Sequence, residues 1–546
     1  MRFCQPKIWA KRMGTLQYII GSLLTVVMFS SCMVDDMPEN SEATDDPTSY
    51  YITLTVKIPE VADNGTKSTE NSESSSLSPS GKESTIKSAT LYFCVENKVV
   101  LTFEAEVGNH ELSENSFILK AKIEDVNDLT ELAGKDVSLY IVANAKSEES
   151  VLNHDLAEIK DVAAAKFKIE NVDGWPIGKF GTDGLIMPLV NASRFEISGF
   201  KNIPESGKED ELIDEISKLF DREEGNDLVY NLGILELERG VARVDFKDNP
   251  SQGEEEFTYV IDRSEVKLRL YAMQPFNINK ESYLFRHEVE GDFNQALANS
   301  ENLSTGDKMS ADGNSWNWVS SPDWKYDGAW TKTVAKETNY LNYLYPIQND
   351  EGLLKGFEIK NGPNILSSED KIESLKENSV DADGYRIWRY ISENTIPSIE
   401  LMKEDEIYKY ATGIAFTFKL IDMEGNVIQK AESAEEKLPA EIRRDAESDR
   451  LVITLKDGSW KEVVYNDKEE AYILTYTAFI AHNVPNDWNP ESSLNPMHYG
   501  VVRNTVYQVM IGNIAGLPQP EFSKGLLLNI KININDWDYL REEQEW

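Results

Sequence analysis

Residues 51–58 read Tyr-Ile-Thr-Leu-Thr-Val-Lys-Ile, and their aliphatic side chains fall on every second position. Ile52, Leu54, Val56 and Ile58 therefore project to one side of an extended chain, and the residues between them project to the other. This alternation predicts a β-strand with one buried face and one solvated face. It decides the fold class, because short runs of the same kind recur along most of the chain.

A second run of this kind lies near the C-terminal end. Leu528, Ile530, Ile532 and Ile534 alternate with polar residues and again place four aliphatic side chains on one face. Beyond Asp536 the alternation changes parity, which predicts a bend or bulge within residues 526–546. The two terminal strands are thus predicted to be near-equivalent occupants of a sheet.

Residues 62–87 separate the first strand from the next apolar run. They are dominated by Ser, Glu, Asn, Thr, Gly and Lys, with Leu77 and Ile86 as the large apolar exceptions. Such a segment buries too little apolar surface to order itself, so we expect a flexible loop. A loop of this length is uncommon inside a compact domain unless it has a function.

Elsewhere, short alternating runs separated by Gly, Asn, Asp and Pro predict an all-β protein built from sandwiches. One of the longer predicted strands covers residues 232–246, and residues 209–219 have the spacing of a short surface helix. A length of 546 residues exceeds what one core usually serves, so two domains and a processed leader are expected.

Residues 1–31 have the pattern of an export signal, with a basic start and an apolar run at 16–29 that is too short for a permanent membrane span. The following Ser30-Ser31-Cys32 resembles a bacterial lipobox, although Phe29 stands where Leu is usual. We expect Cys32 to become the acylated first residue and the anchor to the outer membrane. An ordinary signal peptide followed by a chance cysteine is the alternative.

Cleavage there would leave Cys94 as the remaining unmodified cysteine, so no internal disulfide is expected. Cys94 lies in an apolar run and is predicted to be a small buried side chain. The formal charge of −40, from 95 acidic and 55 basic side chains, would repel nucleic acid phosphates. Nucleic acid is therefore excluded as an expected partner.

The residue patterns of common catalytic and metal sites are missing from the sequence. The five histidines show no paired metal spacing, and no nucleophile elbow occurs. Asp381-Ala382-Asp383-Gly384 resembles part of a calcium loop, but Ser379 and Tyr390 occupy the first and last ligand positions, so a tight turn is favoured. We expect no cofactor, no metal and no enzymatic activity.

Several motifs in order along the chain resemble those of the fimbrillin family, the subunits of type V pili of anaerobic Gram-negative bacteria. The motifs that carry the resemblance are Val142-Ala143-Asn144-Ala145, Glu238-Arg239-Gly240-Val241-Ala242-Arg243-Val244, Glu393-Asn394-Thr395, Tyr410-Ala411-Thr412-Gly413, and Tyr499-Gly500-Val501-Val502-Arg503-Asn504 followed by Tyr507. The resemblance implies two tandem transthyretin-like β-sandwich domains with exchangeable terminal strands. We place these domains at residues 32–225 and 226–546.

The resemblance also implies an assembly route and a set of partners. In the family, a lipoprotein precursor reaches the cell surface, a trypsin-like protease cuts the loop after the first strand, and that strand leaves. The C-terminal strand of another fimbrial subunit then fills the vacated groove. The family's best-known subunits are cut after Arg, whereas this chain has Lys67 at the corresponding place, with Lys82 and Lys87 as less favoured substitutes. The alternative is that the strand stays and the chain is an anchor or accessory subunit.

An aromatic cluster supports a second interpretation, a surface lipoprotein that binds glycans. It comprises Trp316, Trp318, Trp324, Tyr326 and Trp330, in a stretch rich in Ser, Asn, Asp and Gly. Aromatic rings of this kind stack on sugars, but they also pack long loops onto a sandwich. Matched terminal strands distinguish the two interpretations, because a monomeric binding module has no use for them.

Overall fold

The structure is a computed structural model, and all residues it describes belong to the compact unit Pro47–Trp546. The described residues are 49–58, 83–96, 98–109, 115–144, 152–153, 166–169, 187–191, 195–222, 227–276, 278–279, 281–285, 287–288, 318–319, 344–345, 370–376, 378, 380–381, 383–394, 411–431, 436–445, 448–480, 500–518 and 528–536.

The described part of the chain up to residue 239 is mostly β-strand, with one α-helix and two short 3-10 turns. The strands are β1 (Tyr50–Lys57), β2 (Ala89–Val95), β3 (Lys98–Asn109), β4 (Ser116–Ile123), β5 (Val137–Ala143), β6 (Leu152–Asn153), β7 (Lys166–Ile169), β8 (Leu189–Asn191), β9 (Phe195–Ile197), β10 (Asp221–Arg222) and β11 (Leu228–Arg239). The helix is α1 (Glu209–Ser217), and the turns are Val126–Leu132 and Phe200–Asn202. The helix predicted at 209–219 is therefore confirmed.

The described residues after 240 are also mostly strand. The strands are β12 (Val241–Lys247), β13 (Thr258–Val260), β14 (Lys267–Phe276), β15 (Ile278–Asn279), β16 (Glu281–Tyr283), β17 (His287–Glu288), β18 (Trp318–Val319), β19 (Leu344–Tyr345), β20 (Asp370–Lys371), β21 (Arg386–Ser392), β22 (Gly413–Ile421), β23 (Ile442–Arg444), β24 (Arg450–Thr454), β25 (Trp460–Asn466), β26 (Ala471–Phe479), β27 (Thr505–Ile514) and β28 (Leu528–Asp536). One short helix, α2 (Ile372–Lys376), lies between β20 and β21. The all-β class is thus confirmed.

The first sheet closes on itself through β1. Its strand order is β1-β4-β3-β2-β5-β8-β11-β10, and β1 also pairs with β11. Along its length β1 pairs antiparallel with β4, and on its other edge it pairs parallel with β11. A sheet whose first strand meets a later strand has the topology of a barrel, so β1 is the closing strand.

A bulge at Gly233 switches the face that β11 presents to the core. Tyr230 and Leu232 pack against the core before the bulge, whereas Leu235 and Leu237 are the buried residues after it. The register with β1 shifts by one residue there, and Gly233 has φ +95 with its N–H donated to Asn231 Oδ1. The extra residue reverses the parity of the alternation, so both halves of β11 face one core.

Two further sheets are built from the strands after Gly240. A four-stranded sheet has the order β21-β12-β27-β28, and an eight-stranded sheet has the path β13-β14-β22-β26-β25-β24-β23 with β20 attached to β14. One continuous cluster of buried side chains includes residues of the barrel and of both these sheets. The chain passes from the barrel to the four-stranded sheet at Gly240, so the predicted strand 232–246 is two strands in different sheets. The arrangement as two transthyretin-like sandwiches stays a prediction.

Gly233→Ala is expected to destabilise the protein by ~1 to 2 kcal/mol, because an L-residue resists its left-handed conformation. The matched control is Gly108→Ala, since both glycines lie on barrel strands and both leave room for a Cβ, but only Gly233 has positive φ. We expect the control to change stability by less than ~0.5 kcal/mol. Urea unfolding of both variants checks this, and equal effects would contradict the assignment of strain to Gly233.

Candidate functional site

The place that β1 occupies in the barrel is an apolar slot. Ile52, Leu54, Val56 and Ile58 are each at most 2% exposed. They pack against the same core as buried residues of the two flanking strands, among them Leu119 of β4 and Leu237 of β11. Burying four such side chains stabilises the occupied slot by ~6 to 12 kcal/mol, an upper estimate. The four predicted residues therefore lie together on one buried face.

Polar contacts on the outer side and at the end of β1 supplement this apolar face. Lys120 of β4 holds its ammonium group 3.9 Å from the ring centroid of Tyr51, a cation–π contact. At the other end of the strand, the Ile58 N–H donates to the carbonyl of Asn115 at 2.9 Å. The strand is thus held by two hydrogen-bonded edges, one apolar face and a peripheral cation.

The C-terminal strand β28 lies at the edge of the four-stranded sheet. It pairs antiparallel with β27, and its apolar residues register with buried residues of that strand. Ile532 is opposite Val509 and Ile530 is opposite Ile511, and both β28 residues are half-buried against the core. Among the strands that the structure describes, β28 ends the strand order and is paired on one edge, whereas β1 is paired on two.

A buried cluster of charges lies where the barrel meets the four-stranded sheet. Arg243 of β12 donates to both carboxylate oxygens of Glu83, at 2.9 and 3.1 Å, and to Asp245 at 2.8 Å. The Tyr390 hydroxyl of β21 also donates to Glu83. Each of these four side chains is at most 3% exposed.

Arg239, at the end of β11, extends this cluster to the backbone that follows the loop. Its guanidinium donates to the carbonyl of Glu83 and to the hydroxyl of Ser84, each at 3.2 Å. Buried ion pairs are costly to break because a lone charge is then left in a medium of low dielectric. Residues 83 and 84 are therefore fixed to both β11 and β12.

Electrostatics within the cluster follow from burial. Burial raises the pKa of Asp245 to about 6, although Arg243 opposes this shift. Burial and the charge of Glu83 raise the pKa of Tyr390, which keeps its hydroxyl protonated as a donor. For Arg243, burial acts to lower the pKa, but the charges of Asp245 and Glu83 outweigh it and raise the pKa.

A second buried ion pair joins two of the other motifs. Arg503 donates from Nε to Glu393 at 2.9 Å and lies 3.8 Å from Glu238. Asn504, at φ 56, accepts the backbone N–H of Arg239 at 3.3 Å. The motifs around residues 239, 393 and 503 are thus brought together at the passage from β11 to β12.

Asn144, from the first of the motifs, ties down the chain after Ser84. It has positive φ (63) and is fully buried. Its side-chain amide donates to the carbonyls of Thr85 and Met187, and its Oδ1 accepts the N–H of Lys87. Composition placed residues 83–87 in the loop, but these long-range hydrogen bonds fix them.

Other predicted positions are only partly covered by the structure. Cys32, Lys67, Lys82, Trp316, Trp324 and Trp330 lie outside the described residues, as do the side chains of Trp318, Leu528 and Ile534. Their roles stay predictions. Cys94 is confirmed as a small buried side chain.

The calcium-like segment forms a tight turn. The Asp381 carboxylate accepts the backbone N–H groups of Asp383 and Tyr385, and Gly384 has φ 89. Within the described ranges, no group of three or more His, Cys, Asp or Glu side chains could hold a metal ion. No helix in the part that the structure describes has the length and apolar character needed to cross a membrane.

Sequence reasoning missed Glu83 as a structural residue. Its partner Arg243 is 160 positions away, so no local pattern indicates the pair. The signal that could have found it was the motif around Arg239 and Arg243, whose two cations, once buried, require carboxylate partners somewhere in the chain.

No family model matches the chain, and no curated protein matches it. Solved structures of other proteins match most of the chain. The chain is similar to fimbrilins. A fimbrilin from Porphyromonas gingivalis is 12% identical, with a TM-score of 0.36 over 90% of this chain and 97% of that one.

Two further structures are similar over most of their length. A protein of Parabacteroides distasonis named for cell adhesion is 12% identical, with a TM-score of 0.39 over 89% of this chain and 99% of that one. The tip fimbrial protein Mfa3 of Porphyromonas gingivalis is 10% identical, with a TM-score of 0.28 over 89% and 100%.

Glu83→Gln is expected to destabilise the protein by ~3 kcal/mol, because it removes one carboxylate from a buried group of two arginines. The control is Glu124→Gln, whose carboxylate pairs with Lys122 at the surface and is 80% exposed, and we expect it to cost less than ~0.5 kcal/mol. Denaturant unfolding measures both. A loss for Glu83→Gln no larger than the control's would contradict a stabilising role for the buried charges around Glu83.

Asp245 is expected to add a pH dependence to stability. Its pKa is about 6 in the folded protein and ~3.9 in the unfolded chain, so the folded state binds the proton more tightly and stability falls as pH rises from ~4 to ~6. Relative to Asp245→Asn, the wild type should therefore lose on the order of 2 kcal/mol between pH 4 and pH 7. Urea unfolding of both proteins at both pH values measures this loss. If the stability of the wild type relative to Asp245→Asn stays constant or rises between pH 4 and pH 7, the prediction is wrong.

Proposed function

We propose that this chain is a structural, non-enzymatic subunit of a cell-surface fimbria that supports adhesion, and that it is a member of the fimbrillin family. Subunits join head to tail when the C-terminal strand of one copy replaces the first strand of the next. The observation that carries the proposal is that β1 closes the barrel between two edges with the same row of four aliphatic residues that β28 carries at a sheet edge.

Energetics support strand replacement. An emptied slot would expose two unpaired strand edges and the apolar face that now covers Ile52, Leu54, Val56 and Ile58. A strand with the same alternation restores both hydrogen-bonded ladders and the apolar contacts. Each copy donates one strand and accepts one, so the contact is heterologous and does not close on itself. A filament is the result.

The donor strand is better placed to leave than a central strand would be. β28 ends its sheet, and Ile530 and Ile532 are only half-buried there. In the slot the same two side chains would be fully buried, as Leu54 and Val56 are now. The gain in buried apolar area favours transfer of β28 to another copy.

Glu83, Ser84, Arg239 and Arg243 form a buried clamp, which supports a cut before residue 83. Glu83 and Ser84 are held by Arg239 and Arg243, and the Lys87 N–H is bound to Asn144. Proteolysis requires a segment that can extend into the protease, so the hydrogen-bonded backbone at Lys87 disfavours that site. Lys67 is our proposed cleavage residue. The clamp would hold the rest of the domain when the first strand leaves.

The remaining elements of the proposal rest on the sequence. Residues 1–31 form a lipoprotein signal, Cys32 carries the lipid that anchors the precursor in the outer membrane, and a surface trypsin-like protease releases the first strand. The chain forms two transthyretin-like domains, and because β11 belongs to the barrel we propose that the first ends near Gly240, beyond the boundary at 225 that the sequence led us to expect. The mature chain resides in the surface fimbrium, with other fimbrial subunits as partners.

Limited digestion of the full chain with a trypsin-type protease tests the proposal. The wild type should form ladders that resist mild detergent, and Lys67→Gln should stay uncut and monomeric. The double variant Ile530→Asp/Ile532→Asp should be cut yet lose polymer by at least roughly tenfold, because buried carboxylates would oppose insertion. Asn529→Asp/Asn533→Asp adds the same two charges at the alternate, polar positions of the strand and should polymerise.

Wild type that is cut after the first strand and remains monomeric would refute the proposal. Equal polymerisation of the double Asp variant would refute the role of β28 as donor. Circular dichroism of each variant before digestion confirms that the chain is folded.

A further inference from the structure

Two exposed isoleucines flank a single residue of the first strand. Ile118 of β4 is 39% exposed and Ile234 of β11 is 59% exposed, and they are two of the six large hydrophobic side chains that are exposed in the described part of the chain. Both are register partners of Thr55, one on each side. The short side chain of Thr55 leaves this apolar pair open to solvent.

The C-terminal strand carries a longer side chain at the matching place. When Leu528, Ile530, Ile532 and Ile534 take the four positions of Ile52 to Ile58, Lys531 takes the position of Thr55. Both residues are the midpoints of their runs, so the match holds whichever way the incoming strand runs. Lys531 is now exposed at the edge of its own sheet.

The aliphatic face alone does not select this register. A shift of two residues in one direction would bury Asp536, which is costly. A shift in the other direction would place Leu526, Leu528, Ile530 and Ile532 in the slot, an equally aliphatic set with Asn529 at the position of Thr55. The outer face of the slot must therefore distinguish Lys531 from Asn529.

We propose that Ile118 and Ile234 form a seat for the aliphatic stem of Lys531 from a second copy of this chain, and that this seat sets the register of the inserted strand. The inference rests on the proposed function. A lysine lays its methylenes along apolar surface while its ammonium group stays in water, which an asparagine cannot do. Covering one or two methylenes would favour this register roughly tenfold.

Disulfide formation between copies tests the register while leaving Lys531 in place. If the donor runs in the direction of β1, Asn533 takes the position of Lys57, whose register partner on β11 is Glu236. If the donor runs in the opposite direction, Asn533 takes the position of Thr53, whose register partner on β4 is Lys120. Paired residues of neighbouring strands lie within reach of a disulfide. Full-length donor chains carrying Asn533→Cys are mixed with acceptor chains carrying Glu236→Cys or Lys120→Cys and are then digested, all in a Cys4→Ser/Cys32→Ser background.

We expect polymers in which the donor's Asn533→Cys thiol is linked to the acceptor's Glu236→Cys or Lys120→Cys thiol. Lys531→Met keeps an aliphatic stem and should keep the linkage. Lys531→Asn, or Ile118→Thr/Ile234→Thr in the acceptor, should lower the ratio of linked to unlinked donor strands roughly tenfold, from about ten to one to about one to one. Polymers in which the donor thiol links to neither acceptor position, or linkage unchanged in the Asn and Thr variants, would overturn the seat and leave strand exchange standing. A cut chain that forms no polymer would overturn both.

Discussion

The structure depends on the double pairing of one strand. β1 meets β4 on one edge and β11 on the other, so the barrel is closed only while that place is filled. A closed sheet has no free edge, and an opened one exposes two edges beside an apolar slot. Under the proposed function, the need to fill that place makes the terminal strands functional elements as well as structural ones, because a strand with the same alternation could satisfy it.

A second constraint holds the molecule together around the slot. Arg239, Arg243 and Arg503 are buried with Glu83, Asp245 and Glu393, which their guanidinium groups contact. The pairing of opposite charges makes such burial tolerable in a region of low dielectric. This cluster lies where β11 continues into β12 and includes Glu83. In the proposed exchange, this cluster would hold residues 83 and 84 in place when β1 departs.

Local alternation is strong enough to predict the strands that matter most. Residues 51–58 and 528–534 have a period of two, and the structure has β1 at Tyr50–Lys57 and β28 at Leu528–Asp536. The same rule failed at 232–246, because Gly233 inserts a residue that reverses parity and Gly240 sends the chain into another sheet. It also could not find Glu83, whose polar surroundings in the sequence match a loop and whose partners come from distant strands.

Hydrogen exchange on the polymer, followed by mass spectrometry of its peptides, tests the central claim most directly. Backbone amides paired in a closed barrel exchange slowly, whereas those of an edge strand exchange faster. If the terminal strands are alternative occupants of one slot, residues 51–58 will be missing from the polymer and residues 528–536 will exchange far more slowly than in the uncut monomer. A polymer that retains residues 51–58 in protected form, with residues 528–536 exchanging as in the monomer, would contradict the account.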